Sequence, residues 1–111
     1  MNIETISRNN TKLYYLKGDF TITSLQDFQD NVFPVLNEPI EILGINMAEV
    51  SFIDSSGIGK LVQIANLSKG KNIKMFLIDI QGRVFQLLKS VRLDSFFSIT
   101  DKHSFAEKYL V

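Results

Sequence analysis

An apolar run that leads into an amphipathic helical pattern places the strongest constraint on the fold. Residues 40–47 are almost continuously apolar, as expected of a central strand that is covered on both faces. The chain then turns at residues 54–57 (Asp-Ser-Ser-Gly) and at once enters a segment with helical periodicity. Its apolar side chains recur at the spacing of a surface helix lying on a sheet: Ile58, Leu61, Val62 and Ala65.

Alternation of strand and helix patterns continues to the end of the chain. It predicts strands over residues 74–78 and 96–99, and helices over residues 82–91 and after Ser104, where Glu107 completes a capping-box pattern. Such alternation requires right-handed crossovers in a mostly parallel sheet.

Two strand-like segments precede this region, over residues 2–8 and 11–17, with Asn9-Asn10 as a tight turn between them. They predict an antiparallel start, which makes the sheet mixed. A helix is predicted to begin at Thr23, with Gln26 at capping-box spacing, and to end or kink at Pro34. No repeat or linker interrupts the pattern, so we expect one α/β domain over residues 1–111.

Composition excludes several classes of function. The 12 basic and 12 acidic side chains cancel, so no net field directs the chain to nucleic acid or to a membrane surface. Cysteine is absent and His103 is the single histidine, which argues against disulfides and a structural zinc site. No apolar run approaches the ~20 residues of a membrane span, and the first residues lack the features of a secretory signal. We therefore expect a cytoplasmic protein without a metal or cofactor.

The corner at residues 54–57 carries the main functional signal. Ser55 and Ser56 lie at a predicted helix N-terminus, where free backbone N–H groups and the positive end of the helix dipole favour an anion. Short oxygen-bearing side chains also cap helices, which is the simpler explanation of this pattern. However, a cap needs one hydroxyl, and Gly57 and Gly59 each cost up to ~1 kcal/mol relative to alanine. The pattern therefore also suits reversible phosphorylation and close approach by a partner protein.

Two enzymatic interpretations of the corner fit poorly. A serine nucleophile elbow requires glycine two residues before the serine, but Ile53 and Asp54 occupy those places. A phosphate-binding loop requires glycine five residues before Gly59 and a hydroxyl residue after Lys60, but Asp54 and Leu61 stand there. We therefore predict that the chain is not an enzyme.

The sequence around the corner resembles the signature of the STAS domain, and in particular the anti-sigma factor antagonists of bacteria. The resemblance rests on residues 45–59 (Ile-Asn-Met-Ala-Glu-Val-Ser-Phe-Ile-Asp-Ser-Ser-Gly-Ile-Gly) and on residues 16–20 (Leu-Lys-Gly-Asp-Phe). It extends over nearly the whole chain, since the segments at 75–78, 84–88 and 93–99 follow the family pattern in order and spacing. It implies a small mixed β-sheet with helices packed on one face.

The resemblance also implies a partner-switching function. The unphosphorylated antagonist binds an anti-sigma factor that is also a serine kinase, and phosphorylation releases it until a serine phosphatase resets the switch. The phosphorylated residue carries over to Ser56, with Ser55 as the alternative. Residues predicted to contact the partner lie beside these serines, on the polar face of the helix that follows them, or, for Thr21, in the early element of the family pattern: Thr21, Asp54, Ser55, Gly57, Ile58, Gly59, Lys60 and Gln63.

One departure from the family pattern concerns Thr21, which stands where many antagonists have an acidic residue. The partner, or the contacts made to it, would then differ from those of such relatives. The alternative function is a STAS scaffold or accessory subunit of a signalling or transport assembly that is not phosphorylated. The sequence does not specify the oligomeric state.

Overall fold

The computed structural model describes residues 1–111 and contains a five-stranded sheet with four α-helices. The strands are β1 (Asn2–Arg8), β2 (Thr11–Lys17), β3 (Ile42–Glu49), β4 (Lys74–Ile78) and β5 (Ser98–Thr100). The helices are α1 (Leu25–Val32), α2 (Ser55–Gly70), α3 (Gly82–Ser90) and α4 (Lys102–Tyr109). None of the helices combines the length and apolar character that crossing a bilayer requires.

The strands follow one another across the sheet in chain order. β1 and β2 are antiparallel, with Arg8 opposite Thr11 across the two-residue turn, and Asn9 has a positive φ of 56°. All other neighbours are parallel. The predicted α/β class, the mixed sheet and its antiparallel start are therefore confirmed, with β3 at the centre.

The first three helices cover one face of the sheet and enclose the main core. Along β3 every second side chain points into this core, as the alternation of a strand requires, and Leu43, Ile45 and Met47 are fully buried there. α2 contributes Leu61 and Ile64. The predicted apolar stripe of α2 is partly corrected: Ile58, Val62 and Ala65 are half-buried, and the deepest residues are Gly57, Leu61, Ile64 and Ser68.

The fourth helix lies on the opposite face of the sheet, which adds a second layer to the predicted single helical face. Phe105 of α4 packs against Leu13 and Ile78, which point away from the main core. A Cβ on Gly44 would lie 2.7 Å from the Phe105 ring and 2.9 Å from Ile78. Glycine in the central strand is thus explained by close packing of an aromatic side chain above it.

Three local predictions are corrected. The first capping interaction involves Thr21 and Ser24 instead of Thr23 and Gln26, because the chain makes a 3₁₀ turn over Ile22–Ser24 before α1 begins. α4 is capped by Asp101, whose side chain accepts from the backbone N–H of Ser104, so Ser104 lies inside the helix. Strand β5 begins two residues later than predicted. α1 does end before Pro34, which opens a second 3₁₀ turn over Phe33–Asn37.

Candidate functional site

Two distant segments of the chain meet at the corner before α2. The N–H of Phe20 donates to the carbonyl of Phe52 (2.9 Å), and the N–H of Asp54 donates to the carbonyl of Phe20 (3.3 Å). Phe20 and Ile53 form a parallel bridge, and both side chains are buried. The loop that follows β2 is therefore held beside the N-terminus of α2.

The Asp54 carboxylate fastens these segments together. One oxygen accepts from the backbone N–H of Gly57 (3.0 Å), which makes Asp54 the N-cap of α2. The other oxygen accepts from the backbone N–H of Ile22 (3.1 Å), 32 residues earlier in the chain. The hydrogen bond from Gly57, with that from Ile22, outweighs desolvation and lowers the pKa of Asp54 below its ordinary value of 3.8. Asp54 is therefore an anionic cap and a tertiary link.

Ser55 and Ser56 occupy the first two positions of α2. Ser55 is exposed and Ser56 is half-buried, so a protein that approaches the corner can reach both. The backbone N–H groups of a first helical turn point outward without intrahelical acceptors, and they favour added negative charge. Exposure alone does not distinguish Ser56 from the alternative Ser55.

The two glycines of the corner differ in their surroundings. A Cβ on Gly57 would collide with the carbonyl oxygen of Phe20 and would lie 2.8 Å from Cγ1 of Ile53. A Cβ on Gly59 would have no neighbour within 4 Å. The missing side chain at Gly57 therefore lets the backbone of Phe20 pack against α2, whereas Gly59 faces solvent.

The remaining predicted contacts lie along α2. Ile58 is half-buried against the main core, and Gln63 is exposed. Lys60 Nζ donates to Oε1 of Gln29 (2.6 Å) and of Gln63 (3.2 Å), and lies 5.0 Å from the centre of the Phe33 ring. These contacts hold the Lys60 side chain toward α1, so its ammonium group is less available to a partner than predicted.

The tertiary structure places Thr21 at the corner, because the backbone N–H of the next residue, Ile22, donates to the Asp54 carboxylate. Two apolar side chains that were not predicted as site residues also flank the corner: Ile22 is 68% exposed and Phe52 is 47% exposed. The sequence does not show which of Phe52 and Ile53 is exposed, since both are apolar and only the structure shows that Ile53 is the buried one. No sequence signal singles out Ile22.

The only histidine does not join the serines. His103 is exposed on α4, on the other face of the sheet, where its Nε2 lies 3.1 Å from Oε2 of Glu107. The corner therefore brings two serine hydroxyls together with a carboxylate, and the imidazole lies elsewhere.

The chain is similar to known proteins over nearly its whole length. The sequence profile of the STAS domain family matches residues 2–106. The anti-sigma-B factor antagonist of Staphylococcus epidermidis is 20% identical over 101 residues, covering 91% of this chain and 94% of that relative.

Solved structures that are similar to this one include the following two. A candidate anti-sigma factor antagonist from Thermotoga maritima has a TM-score of 0.86 at 20% identity and covers 96% of this chain and 92% of its own. The Bacillus cell fate determinant SpoIIAA, in its phosphorylated form, has a TM-score of 0.74 at 12% identity and covers 96% and 98%. At these identities the likeness establishes the shared fold.

Proposed function

Since this chain belongs to the STAS domain family, we propose that it is an anti-sigma factor antagonist whose binding is controlled by phosphorylation of Ser56, with Ser55 as the alternative. Its partners would be an anti-sigma factor that acts as a serine kinase, and a serine phosphatase that reverses the modification. The proposed cycle would operate in the cytoplasm.

The observation that carries this proposal is the accessible pair of hydroxyls in the first turn of α2. The curated relatives support it, since they are named anti-sigma-B factor antagonists. The structure of phosphorylated SpoIIAA further supports it, because a protein of this fold exists in a phosphorylated form.

Phosphorylation of Ser56 would act at the surface without unfolding the domain. It adds about −1.5 to −2 charge units at neutral pH. The helix N-terminus offsets part of this charge, because its N–H groups and dipole stabilise an anion. However, the adjacent Asp54 carboxylate is already ionised, so the corner becomes strongly negative.

The exposed surface around the corner explains how such a charge would release a partner. Ile22 and Phe52 offer exposed apolar area in the two segments that Asp54 links, and at Gly59 no side chain covers the helix. A partner that buries these groups excludes water from the serines, and a phosphate dianion there must be desolvated beside a carboxylate. A loss of about 2–3 kcal/mol lowers affinity by roughly 30- to 150-fold.

Binding of the host's candidate anti-sigma factor kinases by serine variants tests the proposal. We expect Ser56→Ala to bind without release in the presence of ATP, and Ser56→Asp to bind weakly while remaining folded. Ser55→Ala separates the two candidate sites, since it should still be released in the presence of ATP if Ser56 is phosphorylated and should bind without release if Ser55 is. Equal affinity of Ser56→Ala and Ser56→Asp would refute control through Ser56.

Intact-mass measurement after incubation with kinase and ATP provides a second test. A phosphoryl group should appear on the wild type and be absent from Ser56→Ala. Binding without any phosphoryl transfer would contradict the cycle and favour the alternative of a STAS scaffold or accessory subunit.

A further inference from the structure

β1 is a seven-residue strand at the edge of the sheet, and it pairs with β2 only. Its pairing runs without a bulge from Asn2 to Arg8, and it contains no proline. All of its residues except the half-buried Ile3 are exposed. An open edge of this length presents unpaired N–H and C=O groups and is a template for another strand.

The hydrogen bonds of β2 determine which groups of β1 are free. The carbonyl of Asn10 accepts from the N–H of Ile42, so it faces β3 (3.1 Å). Since backbone groups alternate in direction along a strand, those of Thr11 face β1 and pair with Arg8. By the same alternation Ile6 and Glu4 pair with β2. The N–H and C=O groups of the intervening residues therefore point outward: Ile3, Thr5 and Ser7.

The side chains of β1 would match those of a second β1 strand placed antiparallel to it with Ile6 at the centre. In an antiparallel pair of two β1 strands centred on Ile6, this residue faces its own copy. Thr5 then lies opposite Ser7, where both strands offer their free backbone groups. Glu4 lies opposite Arg8 at both ends, which gives two pairs of opposite charge.

Neighbouring registers lack this complementarity. A pair centred on Thr5 would place Ile6 opposite Glu4, and a pair centred on Ser7 would place Ile6 opposite Arg8.

Ile6 is 46% exposed and lies beside Leu13 on the face that carries α4. Self-pairing centred on Ile6 would therefore extend an apolar cluster that already exists.

We infer that the β1 edge is an interface between two copies of this chain, which join their five-stranded sheets through antiparallel β1 strands. The interface is isologous, since the same residues contribute from both subunits around a two-fold axis. It rests on β1 alone and is independent of the proposed function of the corner.

Charge exchange between Glu4 and Arg8 tests the inference. The dimer dissociation constant would be measured by sedimentation over a range of protein concentrations. Glu4→Arg and Arg8→Glu each place like charges opposite one another, and each should weaken the dimer about tenfold or more. The double variant Glu4→Arg/Arg8→Glu should recover wild-type association. Lys89→Glu, an exposed charge reversal on α3, is the control and should leave association unchanged.

A mixture of the two single variants gives the most specific result. The Glu4→Arg chain is basic at both positions and the Arg8→Glu chain is acidic at both, so together they should form a heterodimer that neither forms alone. A wild-type chain that stays monomeric up to about 1 mM would overturn the inference. A dimer that is indifferent to all the Glu4 and Arg8 variants would also overturn it, because its interface would lie elsewhere.

Discussion

Alanine substitution at the two corner glycines should have opposite effects on stability. At Gly57 the new Cβ would meet the backbone carbonyl of Phe20 and, at 2.8 Å, the side chain of Ile53. The carbonyl cannot move alone, because it accepts from the N–H of Asp54 and belongs to the segment that Asp54 fastens. Overpacking of this kind costs about 1–3 kcal/mol.

The change in the free energy of unfolding caused by Gly57→Ala is the sum of two opposing contributions. A clash with backbone lies toward the upper end of the overpacking range, at about 3 kcal/mol. The better helix propensity of alanine returns at most ~1 kcal/mol. We therefore expect Gly57→Ala to lower the free energy of unfolding by about 2 kcal/mol. For a domain of 111 residues the melting temperature should fall by about 8 °C.

Gly59→Ala is the matched control, two residues further along the same helix. Its Cβ meets nothing within 4 Å, so only the propensity gain remains and stability should rise by up to ~1 kcal/mol. Thermal and urea unfolding, followed by circular dichroism, measure both variants. If Gly57→Ala were as stable as the wild type, or if Gly59→Ala lost as much stability, the assigned packing of the corner would be wrong.

The same pair of variants separates folding from partner binding. Weaker partner binding by Gly57→Ala would follow from displacement of the loop around Phe20. Gly59→Ala leaves that loop in place, so weaker binding by this variant would show that the partner approaches α2 at the exposed glycine. Unchanged binding by Gly59→Ala would contradict a contact there.

Three further substitutions test individual contacts. The pKa of Asp54 is lowered in the folded state, so its stabilising contribution is complete above the ordinary value of 3.8 and is lost as the pH falls through the folded value. Asp54→Asn should therefore reduce the loss of thermal stability on acidification, and an unchanged pH profile would contradict the assigned hydrogen bonds. Ser68 is 1% exposed and its hydroxyl has no hydrogen-bond partner, so Ser68→Ala should raise the free energy of unfolding by about 1 kcal/mol in urea titrations. Gly44→Ala should destabilise the domain by about 1–3 kcal/mol through its clash with the Phe105 ring, and Phe105→Leu in the same chain should reduce that penalty; additive losses would show that the two residues are uncoupled.

Most elements of the fold could be predicted because their signals are local. The runs of strand-forming and apolar residues correspond to β2 and β4, and the helical periodicity corresponds to α3, within a residue or two of their bounds. The tight turn at Asn9-Asn10 and the interruption at Pro34 depend on backbone geometry that neighbouring residues impose. The caps were predicted less well, since several oxygen-bearing side chains stand near each helix start and tertiary contacts select among them.

The candidate site was predicted in part. Its serines and its capping carboxylate are consecutive in the chain, so a short motif identifies them. The surface around them is assembled from the loop after β2, and no local pattern announces that Ile22 lies beside Asp54. The exposure of Phe52 is likewise decided by the fold, since its neighbour Ile53 is also apolar and is the one that the core buries.

By itself, the sequence determined the order of strands and helices, the mixed sheet and the position of the serine corner, because hydrophobic periodicity and turn chemistry act over a few residues. Only the tertiary structure decided that Gly57 accommodates the Phe20 carbonyl, that Gly44 lies beneath Phe105, and that Lys60 is bound toward α1. These contacts join residues more than 30 positions apart in the chain. Whether a glycine faces solvent or another backbone depends on what the fold brings against it, and that information is absent from its sequence neighbours.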